Sequence, residues 1–227
     1  MWKCRGFADL LPSIVKAKQT IGDASTDAQP WPQEAGAVKH AIAQRQSEFI
    51  TTRDCAREAL QELGYAPGPI LMGRYGEPVW PRGVVGSLTH GANLRAAAVA
   101  LATSYRSIGI DVETNTYLPA NTLELAANTS EISAVALLGS AWPAIAWDRL
   151  LFSAKEAIFK AWFPLTGQWL DFGECTLSID VANATFTGRL HLEDDPMSQF
   201  GIESIEGRWG VGDSRLLTAV ALPEGQP

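Results

Sequence analysis

Ser107-Ile108-Gly109-Ile110-Asp111-Val112-Glu113 is the stretch on which the fold turns. Apolar Ile108, Ile110 and Val112 alternate with Gly109, Asp111 and Glu113, the period of a strand with one face buried. Asp111 and Glu113 are two apart, so both carboxylates point to one face, roughly 7 Å apart along the strand. Like charges at that spacing repel. A divalent cation with hard oxygen ligands, Mg²⁺ or Mn²⁺, removes the penalty. A strand end carrying two solvated acids fits the same short pattern, so this stretch alone leaves both readings open.

A second stretch lies about forty residues further on. Leu151-Phe152-Ser153-Ala154-Lys155-Glu156-Ala157-Ile158-Phe159-Lys160-Ala161-Trp162 reads as a helix, with Lys155, Glu156 and Lys160 interrupting its apolar weight. Glu156 and Lys160 are four apart and can touch. By itself that is an ordinary surface ion pair of small worth.

The block Gly109 to Glu113, followed by Phe152 to Lys160, resembles the 4′-phosphopantetheinyl transferases, in their single-chain, pseudo-two-fold branch. Gly76-Glu77-Pro78-Val79-Trp80-Pro81 and then Gly86-Ser87-Leu88-Thr89-His90 agree in order and spacing. The run Trp162-Phe163-Pro164-Leu165-Thr166-Gly167-Gln168-Trp169-Leu170 is similar to actinobacterial members that serve lipid and siderophore synthesis. These blocks lie within residues 73–172.

Composition indicates a folded globular protein. The chain of 227 residues is 46% hydrophobic and 19% charged, enough apolar material for one domain or two small ones. No run of 18 apolar residues exists, so no membrane span is expected, and Met1 to Ile14 lacks the sustained apolar core of a signal peptide. Cys4, Cys55 and Cys175 are scattered without a close His partner. That pattern suits reduced thiols in a cytoplasm rather than zinc or a disulfide framework. A net charge of −7 argues against general nucleic-acid binding, though not against a local basic pocket.

Along the chain, Ala37 to Leu63 is expected as a long helix stopped by Gly64, and Pro67 to Met72 leads into Gly73 to Pro78, a turn-rich loop. Val84 to His90 and Leu94 to Ala102 read as a hairpin around Gly91-Ala92-Asn93. Weak helical segments surround Leu123 and Ile132. Trp142 to Phe163 is the second long helix, stopped by Pro164. Cys175 to Val181, Thr185 to His191, Glu203 to Val211 and Leu216 to Leu222 read as strands, the last pair turning at Gly212-Asp213-Ser214. Each half is then a long helix followed by a small antiparallel set. This matches the α+β fold that the resemblance implies: two similar lobes, about 1–114 and 115–227, folding as one unit over residues 1–227.

The resemblance implies transfer of 4′-phosphopantetheine from coenzyme A to a serine of an apo acyl, peptidyl or aryl carrier protein, releasing 3′,5′-ADP. It implies a metal held by Asp111, Glu113 and Glu156, with Glu156 as the base, Asp111 its runner-up, and Lys155 and Lys160 on phosphate oxygens. Arg45, Arg53 and His90 would hold coenzyme A at its 3′-phosphate, together with the Ser87-Leu88-Thr89 element and the loop Arg74, Tyr75, Gly76, Glu77, Pro78. Trp169 and Leu170 would border the pantetheine arm. A monomer is implied as well. Arg45 and Arg53, eight apart, differ by about 80° around a helix and roughly 12 Å along it, so both can lean toward one large anion; read from the residues alone, they are also an ordinary solvated face. Two departures from the family pattern stand out: Arg74-Tyr75 stands where many relatives carry lysine, and Phe159 where they often carry tyrosine. The apolar segment from Trp162 to Trp169, rimmed by Arg149 and Lys160, is expected to meet the carrier. The rival enzyme reading is a metal-dependent phosphohydrolase of coenzyme A or a nucleotide, which would need no carrier. A non-enzymatic coenzyme A-binding module would require a broken acid set, and the set is intact.

Overall fold

The computed structural model describes residues 2–23, 28–192, 202 and 204–225. The first β-strand, β1 (Lys16–Ile21), is followed by a short helix α1 (Ala35–Val38) and the long helix α2 (Ala43–Glu62). The single helix expected from Ala37 is thus broken. Ile42 sits in extended conformation at the start of α2 and is 73% exposed, so it does not belong to the buried stripe. A minimal hairpin, β2 (Leu71–Met72) and β3 (Pro78–Val79), carries the glycine-rich loop. Next come β4 (Val84–Gly91), β5 (Leu94–Leu101) and β6 (Tyr105–Thr114). Ala92 and Asn93 both take positive φ between β4 and β5, the backbone of a tight two-residue hairpin turn.

Helices α3 (Leu123–Ala126), α4 (Thr129–Ala141) and α5 (Trp147–Thr166) follow. Asn128 and Glu131 form a reciprocal cap on α4. Helix α5 starts at Trp147, later than the expected Trp142, and runs through Pro164 into its last turn, forgoing one backbone hydrogen bond there. Gly167, at φ 65°, ends it in the left-handed conformation, its N–H bonded to the Phe163 carbonyl at 2.8 Å. The chain closes with β7 (Cys175–Asp180), β8 (Thr185–Leu190), β9 (Ser204–Gly212) and β10 (Arg215–Pro223). Glu203, expected to open β9, lies outside the described residues.

The strands form a three-stranded sheet, β1-β5-β4, and a five-stranded antiparallel sheet, β6-β10-β9-β8-β7. Strand β6 therefore pairs with the last strand of the chain, not with the hairpin that precedes it. It is tied to β4 by other means: the Ile110 N–H donates to Ser87 Oγ at 3.1 Å. Helix α2 packs Cys55, Ala56, Ala59 and Leu60 against Ala97 and Val99 of β5. Helix α5 packs its apolar face on the larger sheet, over a core that contains Trp147, Trp162 and Trp209. Ile108, Ile110 and Val112 enter a separate core with Phe7, Leu10 and β5.

Both faces of β6 are covered, contrary to the one-sided strand that its alternation suggests. On the second face a Cβ on Gly109 would stand 1.9 Å from the Ala157 carbonyl oxygen. Only glycine lets α5 approach this closely, and the small Ala157 and Ala161 complete the fit. That contact lays the Lys155–Lys160 segment of α5 across the strand bearing Asp111.

Candidate active site

Asp111 is buried, not a solvated acid on an open cleft. Its Oδ1 accepts from Lys160 Nζ at 2.6 Å and from Thr89 Oγ1 at 3.3 Å, and its Oδ2 accepts from Ser153 Oγ at 2.8 Å. Burial without partners would be costly, so these donors are what keep the carboxylate there. Two residues on, Glu113 accepts from Arg149 Nη1 at 3.1 Å. Burial raises the Glu113 carboxyl above its usual range, and the charge on Asp111 adds to this. Glu156, on α5, is also raised, first by burial; Lys160 opposes the shift while Asp111 and Glu113 reinforce it. Among the described residues, no hydrogen bond or ion pair reaches the Glu156 carboxylate.

The three acids thus form one electrostatic cluster, though not a finished coordination shell. Among the described residues, no group of three or more His, Cys, Asp or Glu side chains is arranged to hold a metal ion. Asp111 meets Lys160 and Glu113 meets Arg149 instead of sharing a cation. The donor chemistry still suits a hard divalent ion. Glu156 and Glu113 are carboxylates that burial and the charge on Asp111 disfavour, and an added cation relieves both.

Beside this cluster lies a cavity of about 280 Å³ that gathers side chains from distant parts of the chain. Helix α2 supplies Arg45, Phe49, Thr52 and Arg53; the hairpin loop supplies Met72 and Tyr75 to Pro78; β4 supplies Gly86, Ser87, Leu88 and His90. Phe159, Lys160, Phe163 and Pro164 of α5 and the indole of Trp169 close it. A second hollow of about 180 Å³ holds Glu156, Leu170 and Phe172. Phe159 and Trp169, with ring centroids 4.8 Å apart, border both spaces.

The basic end of the larger cavity is built on charge that burial perturbs. Arg45 Nη1 hydrogen-bonds His90 Nε2, and Arg45 also meets Glu48 at 3.4 Å. Burial and the neighbouring Arg45 charge push His90 down to about 4, so at neutral pH its ring is uncharged. Arg53 is buried, with Nε donating to the Ile70 carbonyl at 2.9 Å and the guanidinium 3.4 Å over the Phe49 ring. Burial lowers its pKa to about 10, still well above neutrality.

Most of the residues expected at a substrate site therefore meet here: Arg45, Arg53, Tyr75, Gly76, Glu77, Pro78, Ser87, His90, Lys160 and Trp169. Others do not. Lys155, expected on a phosphate, is buried; its ammonium donates to Glu131 at 3.0 Å and to the carbonyls of Ala126 and Phe172 at 2.8 and 2.9 Å. With those partners it ties α5 to α4 and to the segment after Trp169 and has no proton left to offer a ligand. Thr89 is buried against Asp111 and orients that acid rather than lining the cavity. Arg74 lies outside the lining, its guanidinium 5.5 Å over the Tyr75 ring. Leu170 lines the smaller hollow. Of the segment expected to face a carrier, Trp162 is fully buried and Leu165 packs against the core, while Trp169 is 65% exposed. Phe49, Thr52 and Ser153 were not singled out from sequence. Phe49 was detectable, since positions 45, 49 and 53 share one helix face.

Comparison with known proteins bears on the same segments. The family description "4'-phosphopantetheinyl transferase N-terminal domain" matches residues 33–100, and "4'-phosphopantetheinyl transferase superfamily" matches residues 107–216. The chain is 46% identical to 4′-phosphopantetheinyl transferase Svp of Streptomyces mobaraensis, over 95% of this chain and 89% of that protein. It is 39% identical to 4′-phosphopantetheinyl transferase PptT of Mycobacterium tuberculosis, over 95% and 97%. It is 40% identical to 4′-phosphopantetheinyl transferase Npt of Nocardia iowensis, over 93% and 97%. With the motifs in order and the match extending across both halves, the chain belongs to the 4′-phosphopantetheinyl transferase superfamily.

Proposed function

We propose that this enzyme transfers the 4′-phosphopantetheine group of coenzyme A to the serine hydroxyl of an apo carrier protein and releases 3′,5′-ADP. The observation that carries the reading is the run of one cavity from Arg45, Arg53 and His90 to Lys160, which sits one helical turn from the unpartnered carboxylate of Glu156. Arg45, Arg53 and His90 bind the 3′-phosphate, with charge-assisted hydrogen bonds from the guanidinium groups. The loop from Tyr75 to Pro78 borders the nucleotide, and Phe159 with Trp169 borders the pantetheine arm. Lys160 neutralises charge on the pyrophosphate, for which it gives up part of its hold on Asp111.

Glu156 accepts the proton of the attacking serine. Among the described residues its carboxylate has no hydrogen-bond or ion-pair partner, which leaves it open to take that proton. Asp111, Glu113 and Glu156 would hold Mg²⁺ or Mn²⁺, which neutralises pyrophosphate charge when bound. The enzyme acts as one unit with an N-lobe and a C-lobe related by a pseudo-two-fold axis; the pairing of β6 with β10 supports the single unit. Among the described residues, no helix is long and apolar enough to cross a membrane. The test is to incubate the enzyme with coenzyme A, Mg²⁺ and an apo carrier protein and weigh the carrier. A gain of one phosphopantetheine supports transfer. Breakdown of coenzyme A with an unchanged carrier mass, at the same rate without carrier, supports the phosphohydrolase instead.

A further inference from the structure

We infer that Glu34 is a positioning residue for coenzyme A, acting on Arg53 through the backbone of Ile70; this rests on the reading that Arg53 binds the 3′-phosphate. Glu34 stands at the start of α1, outside the cavity, and none of the sequence motifs includes it. It is 2% exposed. A carboxylate so deeply buried must be compensated, and its bonds show what it holds. Its Oε1 accepts from Arg57 Nη1 at 2.8 Å and from the Ile70 N–H at 2.7 Å. The carbonyl of the same residue, Ile70, accepts from Arg53 Nε at 2.9 Å.

Arg53 has a single Nε–H, and it is committed to Ile70. The aromatic face of Phe49 fixes the plane of the guanidinium. The terminal nitrogens are therefore the groups that remain for a ligand in the cavity. Glu34 fixes Ile70, the last residue before β2 and the loop that borders the cavity, and Ile70 aims Arg53. Glu34 also supplies the principal negative charge opposing the effect of burial on Arg53. Among the described residues its Oε2 is buried with no hydrogen-bond partner. A group present only to stabilise the fold would be expected to satisfy both oxygens; this one is retained with one oxygen unpaired, at a place where its charge faces two arginines.

The experiment measures dissociation constants of coenzyme A and dephospho-coenzyme A for the parent protein, Arg53→Ala, Glu34→Ala, Glu34→Asp and the double variant Arg53→Ala/Glu34→Ala. Thermal denaturation of each variant checks folding. Arg53→Ala tests the phosphate reading: it should weaken coenzyme A about tenfold or more and leave dephospho-coenzyme A nearly unchanged. Glu34→Ala, which removes the acceptor of the Ile70 N–H, should reproduce that selective loss although Glu34 touches no ligand, and should add nothing in the Arg53→Ala background. If Glu34→Ala does not fold, Glu34→Asp, which keeps the charge but shortens the reach to Ile70, should show the same selectivity. A selective loss for Arg53→Ala, with equal losses or none for both Glu34 variants, overturns the role of Glu34 and leaves the phosphate reading standing. No selective loss for Arg53→Ala overturns both.

Discussion

Replacing Gly109 with alanine tests whether the contact between β6 and α5 sets the geometry of the site. The added Cβ would lie 1.9 Å from the Ala157 carbonyl oxygen and 2.8 Å from the Ala161 amide nitrogen. Both are backbone atoms of α5, so no rotamer change relieves the clash. Restoring an ordinary contact of 3.4 Å requires the helix to retreat by about 1.5 Å. Overpacking of this kind costs about 1–3 kcal/mol, and a clash between two backbones belongs at the upper end. For a chain of this size that lowers the melting temperature by about 6–12 °C. The same displacement carries Lys160 away from Asp111, which it meets at 2.6 Å, and moves Glu156 relative to both. A misplacement of ~1 Å at a reacting centre costs about a hundredfold in rate. Gly139→Ala is the control: it lies in α4 with no atom within 4 Å of the added Cβ, and the helix should gain about 0.5–1 kcal/mol. The assays are calorimetric melting and the rate of carrier mass gain. A Gly109→Ala protein that melts within about 2 °C of the parent and turns over at full rate would refute the argument.

Three other outcomes are expected. The folded-state pKa of Glu156 is raised, so its contribution to stability is complete below the unfolded value and disappears as pH rises through the folded value. Glu156→Gln should therefore melt higher than the parent at neutral pH, with the difference closing in acid, while turnover falls at least about a hundredfold; a melting point that drops at neutral pH contradicts the assigned direction. The pKa of His90 is depressed to about 4, so the stability linked to its neutral ring is complete above the unfolded value and is lost as pH falls toward about 4. A phosphate seated beside it reverses that bias, so calorimetry near pH 6 in buffers of different ionisation heat should show net proton uptake on coenzyme A binding, absent in His90→Ala; equal heats in every buffer would count against the contact. Lys155→Met leaves Glu131 buried beside an apolar chain and should destabilise by about 3–5 kcal/mol in urea denaturation, whereas a loss under ~1 kcal/mol would mark the pair as no better than a surface one.

The elements were legible where local chemistry decides them. The Ala92-Asn93 turn and the alternation from Ile108 to Val112 follow from residue-level preferences. Pro164 misled because a proline forfeits one backbone hydrogen bond of a helix without always ending it; this helix runs on to Thr166 and closes at Gly167. Ile42 misled because helical periodicity cannot tell a buried apolar residue from one beside a break. The pairing of β6 with β10 joins segments about a hundred residues apart, and no short-range pattern encodes that.

The site shows the same limit more sharply. Alternation correctly put Asp111 and Glu113 on one face of β6, but it says nothing about what covers that face. Coverage by α5 changes the chemistry of Asp111. It becomes a buried acid tied to Lys160, Ser153 and Thr89, so its removal takes one partner from a lysine and two hydroxyls as well as removing a ligand donor. An Asp111→Ala variant that lost both activity and stability would therefore not discriminate between roles, whereas Glu156, on which no such bonds converge, separates them. Lys155 and Lys160 make the same point in one helix. Five positions apart, they point to different faces; one is buried against Glu131 and two carbonyls, and the other, hydrogen-bonded to Asp111, Thr89 and the Ile110 carbonyl, also lines the cavity. Sequence identifies both as lysines of one motif. Only the packing of α5 against β6 on one side and α4 on the other assigns them different tasks.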